Sequence, residues 1–311
     1  MTIIITNCTS RKRISPLQDL SVENIQDGSF KDVAVQWQDL LMKSQPEHSA
    51  KNTYCGRSFR EVEKCSDLLN APLYVISAGL GVVDANTCIP WYNITTTTGT
   101  PASIGRKICD AYSPSKWWNA ISQNNPYGTS LVETLEKNPV GLILCALSRP
   151  YIDLIKIELE SLPSKYYPRL RFLGKNTCNA LPKNIQANWL PYDERLECIG
   201  NGYSGTQSDF AQRALKHFVY EVLPMLPGGT VQDHQAITLD FLSHGVRPEK
   251  VTRLKKSDDE IVALIRKHWN SGTISSTEVL RIFRSKLGIS CEQSRCRYLY
   301  DSIKQSLNTK Q

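Results

Sequence analysis

The chain has 311 residues, 37 Lys and Arg against 30 Asp and Glu, and a formal net charge of +7. That length can bury a full core and divide into a larger and a smaller domain. No run of 18 apolar residues occurs, so no membrane-spanning helix and no membrane partner are expected.

The opening MTIIITNCTSRKR has an apolar stretch too short for a secretory signal and carries its basic residues on the wrong side of it, which predicts a cytoplasmic protein. The ten cysteines stand singly, with no CxxC pair and no Cys/His cluster at zinc spacing. Reduced, mostly buried thiols are the expectation. The five histidines are dispersed without an HExxH motif, so neither a metal nor a cofactor is expected.

In chain order, Thr2 to Thr6 is a β-branched strand running into the polar, basic loop Asn7-Cys8-Thr9-Ser10-Arg11-Lys12-Arg13. Helix-period apolar positions follow at about Phe30 to Met42 and Ser58 to Leu69. Leu73 to Ile76 is a short apolar strand, after which Ser77-Ala78-Gly79 removes bulk where the chain must turn. Ligands in open α/β folds bind past the carboxyl ends of such strands, which makes the 77–93 loop the first candidate site. A Thr-rich stretch spans 95–100, and Ser103 to Ser122 has a helical pattern interrupted near Pro114. A strand is expected at Val140 to Leu147, with Ser148-Arg149-Pro150 opening a helix to about Leu162, since proline suits a first helical turn. Leu170 to Leu173 reads as a further strand, and Pro191 to Arg195 as a loop. Thr206 to Leu223 is a helix whose Thr206 and Asp209 are spaced as a capping box.

This alternation predicts an α/β fold with a mainly parallel sheet sandwiched by helices, with the loops 7–13, 77–93, 148–151 and 174–195 converging at one edge. The α/β domain is expected over 1–223, a linker and connecting helix over 224–244, and a basic helical domain over 245–311.

Residues 245–311 hold 14 Lys and Arg against 7 Asp and Glu, while the first 244 residues hold 23 of each, so the whole basic excess lies in the C-terminal segment. A neutral body with a basic appendage is the charge layout of a protein that docks a polyanion with one module and works with the other. Three capping patterns, Ser257 with Glu260, Ser275 with Glu278 and Ser290 with Gln293, punctuate three short helices. Gly288-Ile289-Ser290 between the last two has the length of a helix-turn-helix connection. Double-stranded DNA is therefore the expected partner, with Lys255, Lys256, Arg284, Lys286, Arg295 and Arg297 available for phosphates and base edges. An ordinary small helical bundle with a solvated basic face is the competing reading.

The N-terminal strand with its polar loop, LYVISAGLGVV, IPWYN and LILCALSRPYIDLI together resemble the YaaA-like peroxide-stress proteins and the related DUF6884-type proteins, over roughly residues 1 to 220. The resemblance implies a uracil-DNA-glycosylase-like fold, and functional kinship with the Brig-type anti-phage DNA glycosylases, which excise a glucosylated hydroxymethylcytosine from phage DNA. The chain departs from uracil-DNA glycosylases in two places. Asn7-Cys8-Thr9 stands where their water-activating loop would be, and Ser148-Arg149-Pro150 stands where a histidine motif would follow Leu147.

Hydrolysis of an N-glycosidic bond passes through an oxocarbenium-like sugar, which calls for a carboxylate and for donors on the departing base. Asp84 is the first choice for the carboxylate and Asp193 the second, with Asn7 also at the reacting centre. Ser77, Gly79, Trp91, Tyr92 and Asn93 are expected to hold an extruded base, and Lys12, Arg13 and Arg149 the neighbouring phosphates. The expected activity is a DNA glycosylase that leaves an abasic site, in phage defence. A nonenzymatic DNA-binding stress protein and a base-exchanging transglycosylase are the alternatives.

Overall fold

Five strands decide which loops can meet. The computed structural model describes residues 1–9, 11–13, 20–123, 125–200, 202–247, 252–269 and 274–308, and it divides into two compact units, Met1–Pro248 and Glu249–Gln311. In the first unit the strands are β1 (Ile3–Asn7), β2 (His48–Ser49), β3 (Leu73–Ser77), β4 (Gly81–Asp84), β5 (Cys88–Ile89), β6 (Ile143–Ala146) and β7 (Leu170–Phe172). The main sheet runs in the order β4-β3-β1-β6-β7, and β2 and β5 form a separate two-stranded ladder. β1 is parallel to both β3 and β6, and β6 to β7, whereas β4 turns back antiparallel to β3.

Strand alternation feeds two cores. Ile3 and Ile5 join Ile76, Val82 and Trp118 in one apolar cluster, whereas Ile4 joins Val75, Trp37 and Trp117 in the other. Successive side chains of a strand leave opposite faces, so a run of isoleucines demands cover on both sides. The helices α1 (Phe30–Lys43), α2 (Ala50–Thr53), α3 (Arg57–Leu69), α4 (Pro114–Ser122), α5 (Leu131–Glu136), α6 (Arg149–Leu154), α7 (Lys156–Glu160) and α8 (Phe210–His217) supply that cover and the connections. The α/β class and the mostly parallel sheet flanked by helices are as the sequence predicts.

Several local expectations change. The 77–93 segment is not one loop, because Val82 and Val83 re-enter the sheet as β4, and Gly81 takes φ +73° at the reversal. The helix expected over 103–122 is a short turn at Ile104–Arg106 followed by irregular chain, and only α4 is helical, with Pro114 at its start rather than interrupting it. The α8 helix widens over Phe218–Val222 before α9 (Leu223–Met225), ahead of Pro224, which has no N–H to give.

Residues 224–244, expected to be a linker and connecting helix, belong to the first unit. α10 (Val231–Ser243) buries His234, Thr238 and Leu242. Arg171, itself 1 % exposed, donates to His234 Nδ1 and to the carbonyls of Pro168, Leu170 and Gly229 at 2.8–2.9 Å. One guanidinium thus ties the 226–230 turn to β7, as its fork of donors allows.

The second unit contains β8 (Leu254–Lys255), α11 (Asp258–Lys267), α12 (Ser276–Ser285), β9 (Ile289–Ser290) and α13 (Gln293–Asn308) around a core of Ile261, Ile265, Val279, Phe283, Cys296 and Ile303. Ser257 and Glu260 form the expected capping box, and Ser275 accepts from Glu278 N. Ser290 instead pairs with Lys255 in the β8–β9 ladder. The connection between Ser285 and Gln293 is thus seven residues with a strand inside it, longer than the three-residue turn expected. Among the described residues no helix is long and apolar enough to cross a membrane.

Candidate active site

The carboxyl ends of β1 and β3 open together, and the loop after β1 is fastened there at three points. Asn7 Oδ1 accepts from Ser148 N at 3.4 Å and from Gln212 Nε2 at 3.1 Å, which joins the rim of β1 to α6 and α8. Tyr151 OH lies 3.1 Å from Cys8 Sγ and 3.2 Å from Cys8 O. Farther on, Arg13 N donates to Thr53 O and Cys55 N to Arg11 O, so the basic loop runs antiparallel beside 53–55 with Lys12 opposite Tyr54.

A cavity of about 320 Å³ lies at this edge, lined by Cys8, Thr9, Lys12, Ala78, Tyr92, Asn93, Ile94, Thr95, Thr97, Thr100, Ala102 and Tyr151. Lys12 Nζ stands 4.2 Å from the centroid of the Tyr92 ring and 5.6 Å from that of Trp91. An ammonium at those distances is attracted by the ring faces. Burial nevertheless pulls Lys12 below the ordinary lysine value, against the opposing influence of the Cys8 and Cys55 thiols. The Thr-rich stretch noted in the sequence supplies the hydroxyl-bearing wall.

Beneath the cavity a relay of buried hydroxyls holds Tyr92. Ser77 Oγ accepts the N–H groups of Gly79 and Leu80 at 3.3 and 3.1 Å and lies 2.7 Å from Tyr92 OH, which is 2.7 Å from Tyr54 OH. With two N–H groups directed at its oxygen, Ser77 is free to donate to Tyr92, and Tyr92 in turn to Tyr54. Burial raises all three phenols of the site, Tyr54, Tyr92 and Tyr151, well above the usual tyrosine range, so they stay protonated. Gly79 leaves room for the ring, since a Cβ there would stand 3.2 Å from Tyr92 Cδ2 and 3.0 Å from Trp37 Cζ2.

The structure divides the residues singled out in the sequence. Ser77, Gly79, Tyr92, Asn93 and Lys12 come together at the cavity or directly beneath it. Lys12 lines the cavity instead of standing outside it as a phosphate contact. Trp91 approaches Lys12 but is outside the lining. Asn7 is occupied in fastening loops. Asp84 is elsewhere: β4 runs antiparallel, so Asp84 pairs with Tyr74 at the start of β3, at the sheet edge opposite the cavity, and its Oδ1 accepts from Asn86 N at 2.8 Å. It is a turn aspartate, as the short polar side chain suits.

Asp193 is taken up by Arg195 at 2.9 Å and Arg247 at 3.4 Å. Burial would raise its pKa, but the hydrogen bonds and charge of Arg195 prevail and hold the carboxyl below its ordinary value. Arg13 faces Glu63 at 3.8 Å. Arg149 lines a second cavity with Lys175, Asn176 and Phe210, also of about 320 Å³, beyond β6 and β7. None of the described residues lining the first cavity is an Asp or Glu.

Cys8, Tyr151 and Tyr54 were not singled out from the sequence. Cys8 follows directly on the first strand and Tyr151 on Ser148-Arg149-Pro150, which is the one local signal that marked them. The contact with the Lys12 loop depends on chain segments more than 40 residues apart and has no local signature.

In the second unit, Arg295 donates to Asp258 Oδ1 at 2.7 Å and to Lys256 O at 2.9 Å, which braces α13 against α11, and Arg284 donates to Cys291 O at 2.9 Å. Arg297 is exposed, facing Asp301 at 3.7 Å. Lys256 pairs with Glu260, and Lys255 and Lys286 are exposed. No family model, no curated protein and no solved structure matches this chain.

Proposed function

We propose that this chain is a DNA N-glycosylase that takes an extruded, modified base into the cavity at the carboxyl edge of β1 and β3 and leaves an abasic site. The observation that carries this reading is the cavity itself, with an aromatic Tyr92 wall, a lysine amine over the ring and hydroxyl, thiol and amide groups around it. A flipped base needs a flat partner and polar groups along its edge. The basic excess in residues 245–311 supports a DNA partner. In the same reading α12 and α13 serve as the helix-turn-helix-like DNA reader, the uracil-DNA-glycosylase-like resemblance holds over the first unit, and the work is phage defence in the cytoplasm.

Incubation with plain and hypermodified phage DNA tests it. Free base and alkali-labile sites are expected from the modified DNA. A second reading, DNA binding without chemistry, draws on the lack of a carboxylate among the described lining residues. It expects retention of both DNAs with no base released, while base exchange expects labelled free base to be incorporated.

A further inference from the structure

Resting on the base-excision reading above, we propose that Lys12 is the nucleophile: its amine attacks C1′ of the target deoxynucleotide and forms an imine with the sugar. Among the described lining residues there is one amine, Lys12 Nζ, placed against the Tyr92 ring. Its backbone is held in the ladder with 53–55, so the side chain enters the cavity from a fixed strip of chain. No described Asp or Glu lies within ion-pair distance of it, whereas Arg13 next to it pairs with Glu63.

Chemistry at this site needs something to meet the developing positive charge on the sugar. A carboxylate would do so, and the described lining has none. A neutral amine does the same work by bonding to C1′, and desolvation is the standard way a lysine is made neutral at physiological pH. Lys12 is half-buried over the Tyr92 ring, and burial moves its pKa in that direction.

The steps balance. The Lys12 lone pair forms the C1′–N bond as the bond from C1′ to the base breaks, and the electron pair leaves with the base. The surplus amine proton passes to the departing base. The nitrogen lone pair then opens the C1′–O4′ bond, O4′ takes a proton from water, and a protonated imine remains. Water hydrolyses that imine, returning the Lys12 amine and an open-chain aldehyde. The net change is base release and one water consumed. The Tyr151 and Tyr92 phenols, kept protonated by burial, do not compete as nucleophiles.

The test is reductive trapping. Full-length protein is mixed with a duplex carrying one abasic site, treated with sodium borohydride and run on a denaturing gel, with peptide mass mapping of any adduct. A covalent adduct at Lys12 is expected, falling at least tenfold in Lys12→Met and in Lys12→Arg, the latter keeping a long basic side chain over Tyr92. No adduct with the unaltered protein, or an adduct mapping to another residue, overturns the proposal even where a variant fails to fold. Base release measured in parallel on hypermodified DNA separates the two ideas. Release without an adduct overturns the lysine and leaves excision by water. An adduct at Lys12 without release supports the lysine and overturns excision of that base.

Discussion

Tyr74 stands opposite Asp84 in the antiparallel ladder of β3 and β4, while Ser77 stands opposite Gly81. Three residues of strand therefore separate Asp84 from the rim where the cavity opens, about 10 Å at 3.3 Å per residue. Asp84→Asn should leave base release within about twofold of the unaltered protein, because an amide oxygen still accepts from Asn86 N. Single-turnover release by the two proteins, compared directly, checks this. A hundredfold loss would return Asp84 to the reaction.

The hydroxyl relay makes Tyr92 costly to shorten. Tyr92→Phe keeps the ring but strips Ser77 and Tyr54 of a shared partner in a fully buried place. An orphaned buried hydroxyl costs roughly 1–3 kcal/mol, and urea unfolding should show a loss in that range. Unchanged stability would mean that the relay is replaced by other partners.

His217 gives the fold a pH dependence of definite sign. It is 1 % exposed, its Nδ1 lies 2.9 Å from Tyr192 OH, and its Nε2 is without a partner. Burial lowers its pKa from 6.5 to about 4, against the weaker pull of Glu221. The unfolded chain then binds the proton more readily, so stability is complete above pH 6.5 and is lost as pH falls toward 4. Between pH 7.5 and 5.5 this one group should remove about 1–1.5 kcal/mol. His234, also lowered by burial, acts in the same direction. Denaturant unfolding at the two pH values checks the sign, and greater stability at pH 5.5 would contradict a neutral buried His217.

Arg295 and Arg297, two residues apart in the sequence, have different surroundings in the structure. Arg295 braces α13 to α11 through Asp258 and Lys256, whereas Arg297 is exposed. Arg297→Ala should weaken duplex binding and flatten the slope of log K against log salt by about one unit. Arg295→Ala should act mainly on thermal stability of the second unit. Binding isotherms at two salt concentrations, with melting curves alongside, distinguish the two; identical isotherms for Arg297→Ala would remove it from the DNA contact.

The elements that need only local pattern were legible in the sequence. β1, α1, α3, β3, β6 and β7 follow from apolar runs and helix-period positions, because the periodicity of a strand or helix is written in a single stretch of chain. The caps at Ser257 and Thr206 are likewise local. The same holds for the basic excess after residue 244 and for the placing of Ser77 and Tyr92 at a strand's carboxyl end. The direction of β4 was not legible, and it removes Asp84 from the site, since an antiparallel return differs from a loop only in what it pairs with. Tertiary structure alone brings Cys8 to Tyr151, 143 residues away, Lys12 to Tyr92, and Arg247 to Asp193. Charge neutralisation, desolvation and cavity shape depend on which side chains meet across the fold, and no local spacing encodes that.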